Sequence, residues 1–289
     1  MKTSKLIYLF VIPGAILYLL FFVVPTISAL FYSVTDWSGL TETSNYVGLD
    51  NFKNLLFNDL VFQKSAANNM KFLLAVVIFQ TLFSLIFALI LVKNTKANVF
   101  YRTLFFFPTI LASISVAFIW TFVYDTNLGM LNQFLQVLGL SDWALGWIGD
   151  RRIAIYSIAF VQVWAHTGQV MVIFIAGLQA VPKEIYEAAI IDGSNRWQTF
   201  WKITWPLIAP STTMVVGYTT IQSFKAFDLI YAMTGGGPVY STEIFATFIY
   251  RSAFTNYSFG YASAASVIFM IVIATITFTQ MKVINRVKY

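Results

Sequence analysis

Long apolar stretches separated by short polar segments dominate the chain. A helix needs about 20 apolar residues to cross a bilayer, and six stretches reach that length, near residues 7–32, 71–92, 103–124, 153–180, 207–229 and 261–281. The first follows Lys2 and Lys5, as a signal peptide would. It is longer than a signal peptide's apolar region of about 7–15 residues, so we expect an uncleaved span. The pattern predicts an all-α integral membrane protein with six transmembrane helices in a single domain, residues 1–289.

Composition supports the membrane class. Apolar residues make up 58% of the 289 residues and charged residues only 10%, whereas soluble domains carry roughly 25% charged residues. The mean hydropathy is +0.74. The chain has no cysteine and one histidine, His166, which excludes thiolate and multi-histidine metal sites within it.

Basic residues predict the orientation of the spans. With the N-terminus in the cytoplasm, the cytoplasmic segments hold eleven of them: Lys2, Lys5, Lys93, Lys96, Arg102, Lys183, Arg196, Lys202, Lys282, Arg286 and Lys288. The outer segments hold six: Lys53, Lys64, Lys71, Arg151, Arg152 and Arg251. This bias favours an arrangement with both termini in the cytoplasm. Because the basic residues are distributed between spans and form no single patch, no nucleic-acid partner is expected.

A polar, charge-bearing segment, residues 182–206, separates spans four and five. Pro182 suits the first position of a helix, and Glu184 suits its first turn, where the helix dipole favours negative charge. Gly193 is placed to end that helix in a left-handed conformation. Ser194 is expected to cap a second, aromatic-rich helix.

The same segment has the composition of a docking element. Ala188 and Ala189 have little side-chain bulk, so another surface could approach the helix closely. The alternative is an ordinary helix–loop–helix between two spans, and the local pattern alone leaves both open.

The predicted outer segments have their own patterns. Residues 46–70 predict one or two amphipathic helices on the outer surface, with Asp50 as a possible cap. Residues 234–241, TGGGPVYS, are a strong loop signal, typical of a flexible or tightly turning connection.

Polar side chains also occur inside two spans, where lipid would make them costly. They share one helical face in each span and are Gln162, His166 and Gln169 in span four, and Thr219, Gln222 and Ser223 in span five. Amides offer a donor and an acceptor together, as sugar hydroxyls do. The two polar stripes therefore predict a binding site for a neutral polyhydroxylated ligand. The alternative is that these residues bond only to neighbouring helices.

Several kinds of chemistry have no support in the sequence. There is no G-x-x-x-x-G-K-[ST] phosphate loop, and no set of Ser, His and Asp suggests a nucleophilic site. We therefore predict no enzyme activity, catalytic residue, cofactor or metal in this chain. A transporter driven by an ion gradient is a second hypothesis, disfavoured because Asp228 is the only plausible carboxylate within a span.

The segment EAAIIDGSNRWQTFWKITWPLIAP, residues 187–210, resembles the EAA motif of permease subunits of binding-protein-dependent ABC importers. Other segments are similar to permeases of the oligosaccharide type: YVGLDNF at 46–52, YRTLFFFPTILASISVAFIW at 101–120, TGGGPVYST at 234–242 and FGYASAASVIF at 259–269. The likeness covers nearly the whole chain. It is greatest to the larger maltose permease subunit, without that subunit's extra N-terminal spans.

The resemblance implies a division of labour in a bacterial or archaeal cell membrane. A second permease, usually a different one in sugar importers, would complete the pathway. Two copies of a cytoplasmic ATPase would bind MgATP, and an extracytoplasmic binding protein would deliver the sugar. The ATPase-coupling residues carried over by the motif are Glu187, Ala188, Ala189, Asp192 and Gly193. The family's sugar-contacting positions carry over to the two polar stripes, although His166 stands where the maltose type has a small residue.

Overall fold

The computed structural model describes the backbone of residues 5–286 and the side chains of residues 10–280 and 282. Lys2 and Lys288, which contribute to the predicted orientation, lie outside the described residues. The described part of the chain is helical, without a strand longer than an isolated bridge. Its α-helices are α1 (Lys5–Tyr18), α2 (Val24–Tyr32), α3 (Asp50–Lys53), α4 (Leu60–Leu91), α5 (Lys96–Phe106), α6 (Ser113–Val123), α7 (Met130–Val137), α8 (Ala154–Gln179), α9 (Lys183–Ile191), α10 (Arg196–Thr199), α11 (Trp205–Leu207), α12 (Ala209–Phe224), α13 (Phe227–Thr234), α14 (Phe245–Phe254) and α15 (Phe259–Arg286).

Four described helical segments are long and apolar enough to cross a membrane. They are Phe10–Tyr32, Leu60–Leu91, Ala154–Gln179 and Phe259–Gln280, and they correspond to predicted spans one, two, four and six. A fifth is added if the bent pair α5 and α6 counts as one span. The prediction of an α-helical membrane protein is confirmed at this level, whereas six spans and one domain stay predictions.

The third predicted span, 103–124, is not one continuous helix. α5 leads into a 3₁₀ turn at Phe107–Ile110, the chain is extended at Leu111 and Ala112, and α6 leaves at an angle of 98° to the preceding helix. Pro108 lies in the 3₁₀ turn and lacks an N–H donor, but Phe107 before it keeps a helical conformation, and the break itself lies at Leu111 and Ala112.

The fifth predicted span, 207–229, is also interrupted. α12 ends at Phe224 after 16 residues, and α13 begins at Phe227. Neither Pro nor Gly marks the break at Lys225 and Ala226, so the hydrophobic pattern could not have located it.

The helices predicted within residues 46–70 are present in part. α3 and the π-helical turn Asn54–Asn58 form one short helical stretch, and the rest of the segment belongs to α4, which begins at Leu60. Asp50 is the first residue of α3 and provides no side-chain cap. Asp59 takes that role for α4, because its carboxylate accepts from the main-chain N–H groups of Val61 and Phe62, both at 2.9 Å.

The chain divides into two compact units, and the first comprises Met1–Gln63 and Phe248–Val272. Within it, Trp37 stacks on Tyr32 with ring centroids 4.1 Å apart and contacts Phe259. Asp36 accepts two hydrogen bonds from Asn45, one from its side chain and one from its main chain, and these hold the pKa of the Asp36 carboxyl below its ordinary value.

The second unit comprises Lys64–Thr247 and Ile273–Tyr289 and is built around α8. In the most apolar 18-residue stretch of α8, 67% of the residues are buried. One apolar cluster joins α8 to α4, α6 and α13, and includes Phe72, Val116, Ile158 and Ile230. A second cluster joins α8 to α4 and α12, and also contacts α9.

Glycines on α8 permit close packing of its neighbours. At Gly168 the helix lies against the main chain of Phe105, and at Gly177 it lies against the side chain of Ser211. An added Cβ at either position would overlap these atoms. Gly217 on α12 has nothing within 4 Å of the corresponding point.

We predict that Gly168→Ala destabilises the chain, because the new methyl group meets the Phe105 backbone, which cannot rotate away. The expected cost is about 1–3 kcal/mol, typical of overpacking, seen as a lower unfolding midpoint of the detergent-purified protein. Gly217→Ala is the matched control. It is expected to be neutral or stabilising by up to about 1 kcal/mol, since alanine favours helix. Equal midpoints for the two variants would contradict the close approach at Gly168.

Candidate functional site

The segment between α8 and α12 is a helix–turn–helix with well-defined ends. α9 begins after Pro182, which is its N-cap, and carries Glu184 in its first turn. It ends in a Schellman motif: the N–H of Ser194 bonds to the carbonyl of Ala189 at 3.0 Å, and the N–H of Gly193 bonds to that of Ile190 at 3.0 Å. Gly193 has φ +74°, the left-handed conformation that the sequence predicted.

The second helix of this segment is capped one residue later than predicted. Asn195 is its N-cap, and Asn195 and Gln198 form a reciprocal capping box. Ser194 instead donates its hydroxyl to the carbonyl of Ala189 at 2.7 Å, which secures the preceding turn.

The exposed side of α9 to α11, called the coupling surface after the role predicted for it, carries large apolar side chains. Ile190 is 72% exposed, Ile191 86% and Trp197 71%. The aromatic rings of the second helix contact one another, with Trp197 and Trp201 at 5.6 Å between centroids. Among the predicted coupling residues, Ala189 is buried, and the others, Glu187, Ala188, Asp192 and Gly193, are exposed.

The buried side of α9 faces the second apolar cluster. Ile185 and Tyr186 pack against that cluster, which contains Leu91 of α4 and Leu178 of α8. α9 is therefore packed directly against the ends of these two long helices.

The polar stripe of α8 lies partly in the protein interior. Gln162 is 4% exposed, and His166 and Gln169 are half-buried. The Nδ1 atom of His166 lies 3.1 Å from the carbonyl oxygen of Gln162. A small recess beside the break of the third span is lined by Gln162, His166, Leu111, Ser113 and Leu229, among others.

The polar stripe of α12 is more deeply buried than that of α8. Thr219 and Ser223 are fully buried, and their hydroxyls donate to carbonyls of their own helix, to Val215 at 2.9 Å and to Thr219 at 2.8 Å. Gln222 reaches another helix, because its Oε1 accepts from Nε2 of Gln80 on α4 at 3.2 Å.

α4 contributes polar residues that the sequence analysis missed. Gln80 and Ser84 are both fully buried, and Ser84 donates to the carbonyl of Thr167 on α8 at 2.9 Å. Within the described residues, Gln80 Oε1 and Thr81 Oγ1 have no hydrogen-bond partner. Polar residues four apart in an otherwise apolar span were the available signal.

The glycine-rich loop at 234–241 turns tightly and is tied to α4. Asn68 donates from its amide to the carbonyls of Tyr240 at 2.9 Å and Glu243 at 3.1 Å. Gly236 has φ +91° and lies against the Glu243 side chain, which leaves no space for a Cβ. Across the described residues, no group of three or more His, Cys, Asp or Glu side chains could hold a metal ion.

Residues 70–287 match the protein family described as binding-protein-dependent transport system inner membrane component. The chain belongs to this family. The Probable ABC transporter permease protein YurN of Bacillus subtilis is 35% identical to this permease over 277 residues, covering 95% of this chain and 94% of that protein. The multiple sugar-binding transport system permease protein MsmF of Streptococcus mutans is 34% identical over 277 residues, covering 96% and 94%.

A solved structure gives the same fold for this permease. A chain of a bacterial alginate ABC transporter, in complex with an alginate pentasaccharide-bound periplasmic protein, superposes with a TM-score of 0.85. The superposition covers 98% of this chain and 95% of that one, at 20% sequence identity. The family match and the curated relatives, rather than the shared fold, confirm the predicted resemblance to permease subunits, which are not themselves ATPases.

We predict measurable coupling between Gln80 and Gln222. Gln80→Leu and Gln222→Leu each break the same interhelical bond, so the double variant should lose less stability than the two single losses added together. Hydrogen bonds of this kind in membrane proteins are worth about 0.6 kcal/mol on average and up to about 1.7 kcal/mol. Unfolding of the detergent-purified permease measures the coupling. Ser84→Ala combined with Gln222→Leu is the control. The stability losses of these two substitutions should add, because Ser84 bonds to Thr167 and not to Gln222.

Proposed function

We propose that this permease is the transmembrane subunit of an ATP-driven ABC importer that takes up a neutral sugar, in particular an oligosaccharide. The observation that carries the proposal is the direct continuity between the coupling surface and α8. α9 follows α8 after a three-residue connection, Ala180 to Pro182, and α8 bears the amide and imidazole stripe. The sugar-permease names of relatives support the class of substrate.

The proposed topology has six spans with both termini in the cytoplasm. α5 with α6 forms the third span, and α12 with α13 forms the fifth. The excess of basic residues in alternate connections supports this orientation. The coupling surface then lies in the cytoplasm of a bacterium or archaeon, and the glycine-rich loop lies outside.

The proposed partners bind at the cytoplasmic side, at the outer side and beside this permease in the membrane. A cytoplasmic ATPase, present in two copies, docks on the coupling surface, whose exposed Ile190 and Ile191 suit an apolar cleft. A second permease, different from this one in a heterodimer, completes the pathway, and a binding protein delivers the sugar on the outer side.

The proposed mechanism is alternating access driven by these ATPases. Closure of the ATPase dimer on MgATP moves α9, and α9 transmits the movement to α4 and α8 through Ile185 and Tyr186. The chain itself transmits work and catalyses no reaction.

We assign the sugar contacts to the two polar stripes: Gln162, His166, Gln169, Thr219, Gln222 and Ser223. His166, Gln169 and Gln222 are partly accessible, which supports them as the direct contacts. Thr219 and Ser223 direct their hydroxyls to their own helix in this conformation, so they would serve the sugar only after α12 moves.

The function test is reconstitution of the complex with its ATPase, second permease and binding protein in proteoliposomes. We expect sugar-loaded binding protein to raise ATP hydrolysis and to support uptake. His166→Ala is expected to reduce uptake while the complex still assembles, because it removes a partly exposed polar group from the stripe.

The contrasting result is uptake by this chain alone that a proton or sodium ionophore abolishes. That outcome would assign the transport to an ion gradient and would overturn the proposal. Normal uptake by His166→Ala would instead show that this stripe residue is not a necessary sugar contact.

The coupling role makes a separate prediction for Gly193. Gly193→Val places a β-branched residue at φ +74°, which costs about 1–2 kcal/mol in the left-handed conformation, so the turn distorts and uptake falls. Glu187→Lys reverses an exposed charge on the same surface and should also lower uptake. Membrane insertion and the amount of protein are measured in parallel.

Gly139→Val is the matched control, because Gly139 also has φ +74° and open space around it but lies in another connection. Its uptake is expected to stay near that of the unsubstituted protein. Normal uptake by both Gly193→Val and Glu187→Lys would remove the coupling role from this segment.

A further inference from the structure

Arg102 of α5 binds the C-terminal end of α4. Its guanidinium donates to the carbonyl of Leu91 from Nε at 2.8 Å and also from Nη2, and Nη2 donates to the carbonyls of Val92 at 2.7 Å and Lys93 at 3.2 Å. Its Nη1 donates to Oδ1 of Asn94 at 3.0 Å. The last carbonyls of a helix have no partner within the helix and carry partial negative charge, so one cation satisfies several of them at once.

Gln179, the last residue of α8, uses two of the same acceptors. Its Nε2 donates to the carbonyl of Val92 at 3.1 Å and to Oδ1 of Asn94 at 3.3 Å. We call the group formed by Arg102, Asn94, Gln179 and the carbonyls of residues 91–93 the polar clasp. It joins the ends of α4 and α8 to the first half of α5.

In the sequence, the polar clasp is separated from the coupling surface by only a short connection. Only Ala180, Val181 and Pro182 separate Gln179 from α9. Val181 is buried in the same apolar cluster as Leu91. A displacement of α9 is therefore transmitted to the clasp through a short and packed connection.

α5 makes a second attachment to α8 close to the polar stripe. Thr109, in the 3₁₀ turn that follows α5, donates its hydroxyl to the carbonyl of Ala165 at 2.7 Å, next to His166. Gly168 lies against the main chain of Phe105. α5 thus connects the clasp at one end with the middle of α8 at the other.

We infer that Arg102 and Gln179 are positioning residues that couple the movement of α9 to the broken third span and so to the binding stripe. This inference rests on the proposed function. Hydrogen bonds to a charged group are stronger than those between neutral groups, and several of them converge on one rigid guanidinium. The clasp therefore keeps α4, α5 and α8 in register when the coupling surface moves. Without it, ATPase closure still occurs, but less of the movement reaches the stripe.

The test measures sugar uptake per ATP hydrolysed by the whole complex in proteoliposomes. Arg102→Lys keeps the positive charge but loses the planar guanidinium with its several N–H donors. Gln179→Leu removes the amide that donates to the Val92 carbonyl and to Asn94. Each substitution is expected to lower the ratio of sugar uptake to ATP hydrolysis about fivefold, because it weakens the coupling between two states by one modest interaction. ATP hydrolysis in the absence of binding protein and the amount of assembled complex are expected to stay unchanged. Lys96→Gln, which removes an exposed charge from the start of α5, is the matched control and should keep the ratio.

The two substitutions share acceptors, so the double variant should lower the ratio less than the product of the single effects. If uptake and ATP hydrolysis both fall in proportion to the amount of assembled complex, the polar clasp only stabilises the fold, and the inference is overturned. An unchanged ratio in both single variants overturns it as well. Failure of the unsubstituted complex to couple uptake to ATP would instead overturn the proposed function, and the inference with it.

An independent measurement does not depend on the stability of the Arg102 variant. The chain has no cysteine, so the double substitution Asn94→Cys with Gln179→Cys allows a short bifunctional thiol reagent to join α8 to the end of α4. Before crosslinking the complex should show the lowered ratio, and crosslinking should restore it by holding the two helix ends together. Further loss of the ratio on crosslinking would contradict the inference.

Discussion

The cost of a buried polar group without a hydrogen-bond partner constrains how these helices pack, and atoms such as Gln80 Oε1 and Thr81 Oγ1 are exceptions among the described residues. Lipid offers no hydrogen bonds, so an unsatisfied group there costs several kcal/mol. The hydroxyls of Thr219 and Ser223 find acceptors within their own helix, whereas the amide N–H of Gln80 and the hydroxyl of Ser84 find theirs across helices. Interhelical bonds from Ser84, Thr109 and Tyr124 end on carbonyls of α8.

The same constraint explains how α8 is held in a fixed register against its neighbours. α8 is held on one side by apolar packing and on another by a few directed bonds, among them Ser84 to Thr167 and Thr109 to Ala165. Apolar contacts tolerate sliding, but directed bonds require a fixed register. A displacement that enters beside α9 therefore shifts α8 together with its bonded neighbours.

Much of this architecture was accessible from the hydrophobic pattern. The apolar stretches located the long helices α4, α8 and α15, and Gly193 predicted the left-handed turn after α9. The pattern did not locate the breaks at Leu111 and Lys225, because an interrupted span keeps the composition of a continuous one. It also missed Gln80, whose importance depends on the packing of α4 against α12, a contact between residues 142 positions apart that no local period encodes.

The bend of the third span has a consequence for hydration. α6 begins after Ala112, which provides no side-chain cap, so its first N–H groups project without partners from their own helix. Extended backbone at membrane depth is tolerated only where protein or water surrounds it. Leu111 and Ser113 border the recess that also contains Gln162 and His166. The bend therefore brings main-chain polar groups beside the recess that contains Gln162 and His166, where protein groups or water can satisfy them.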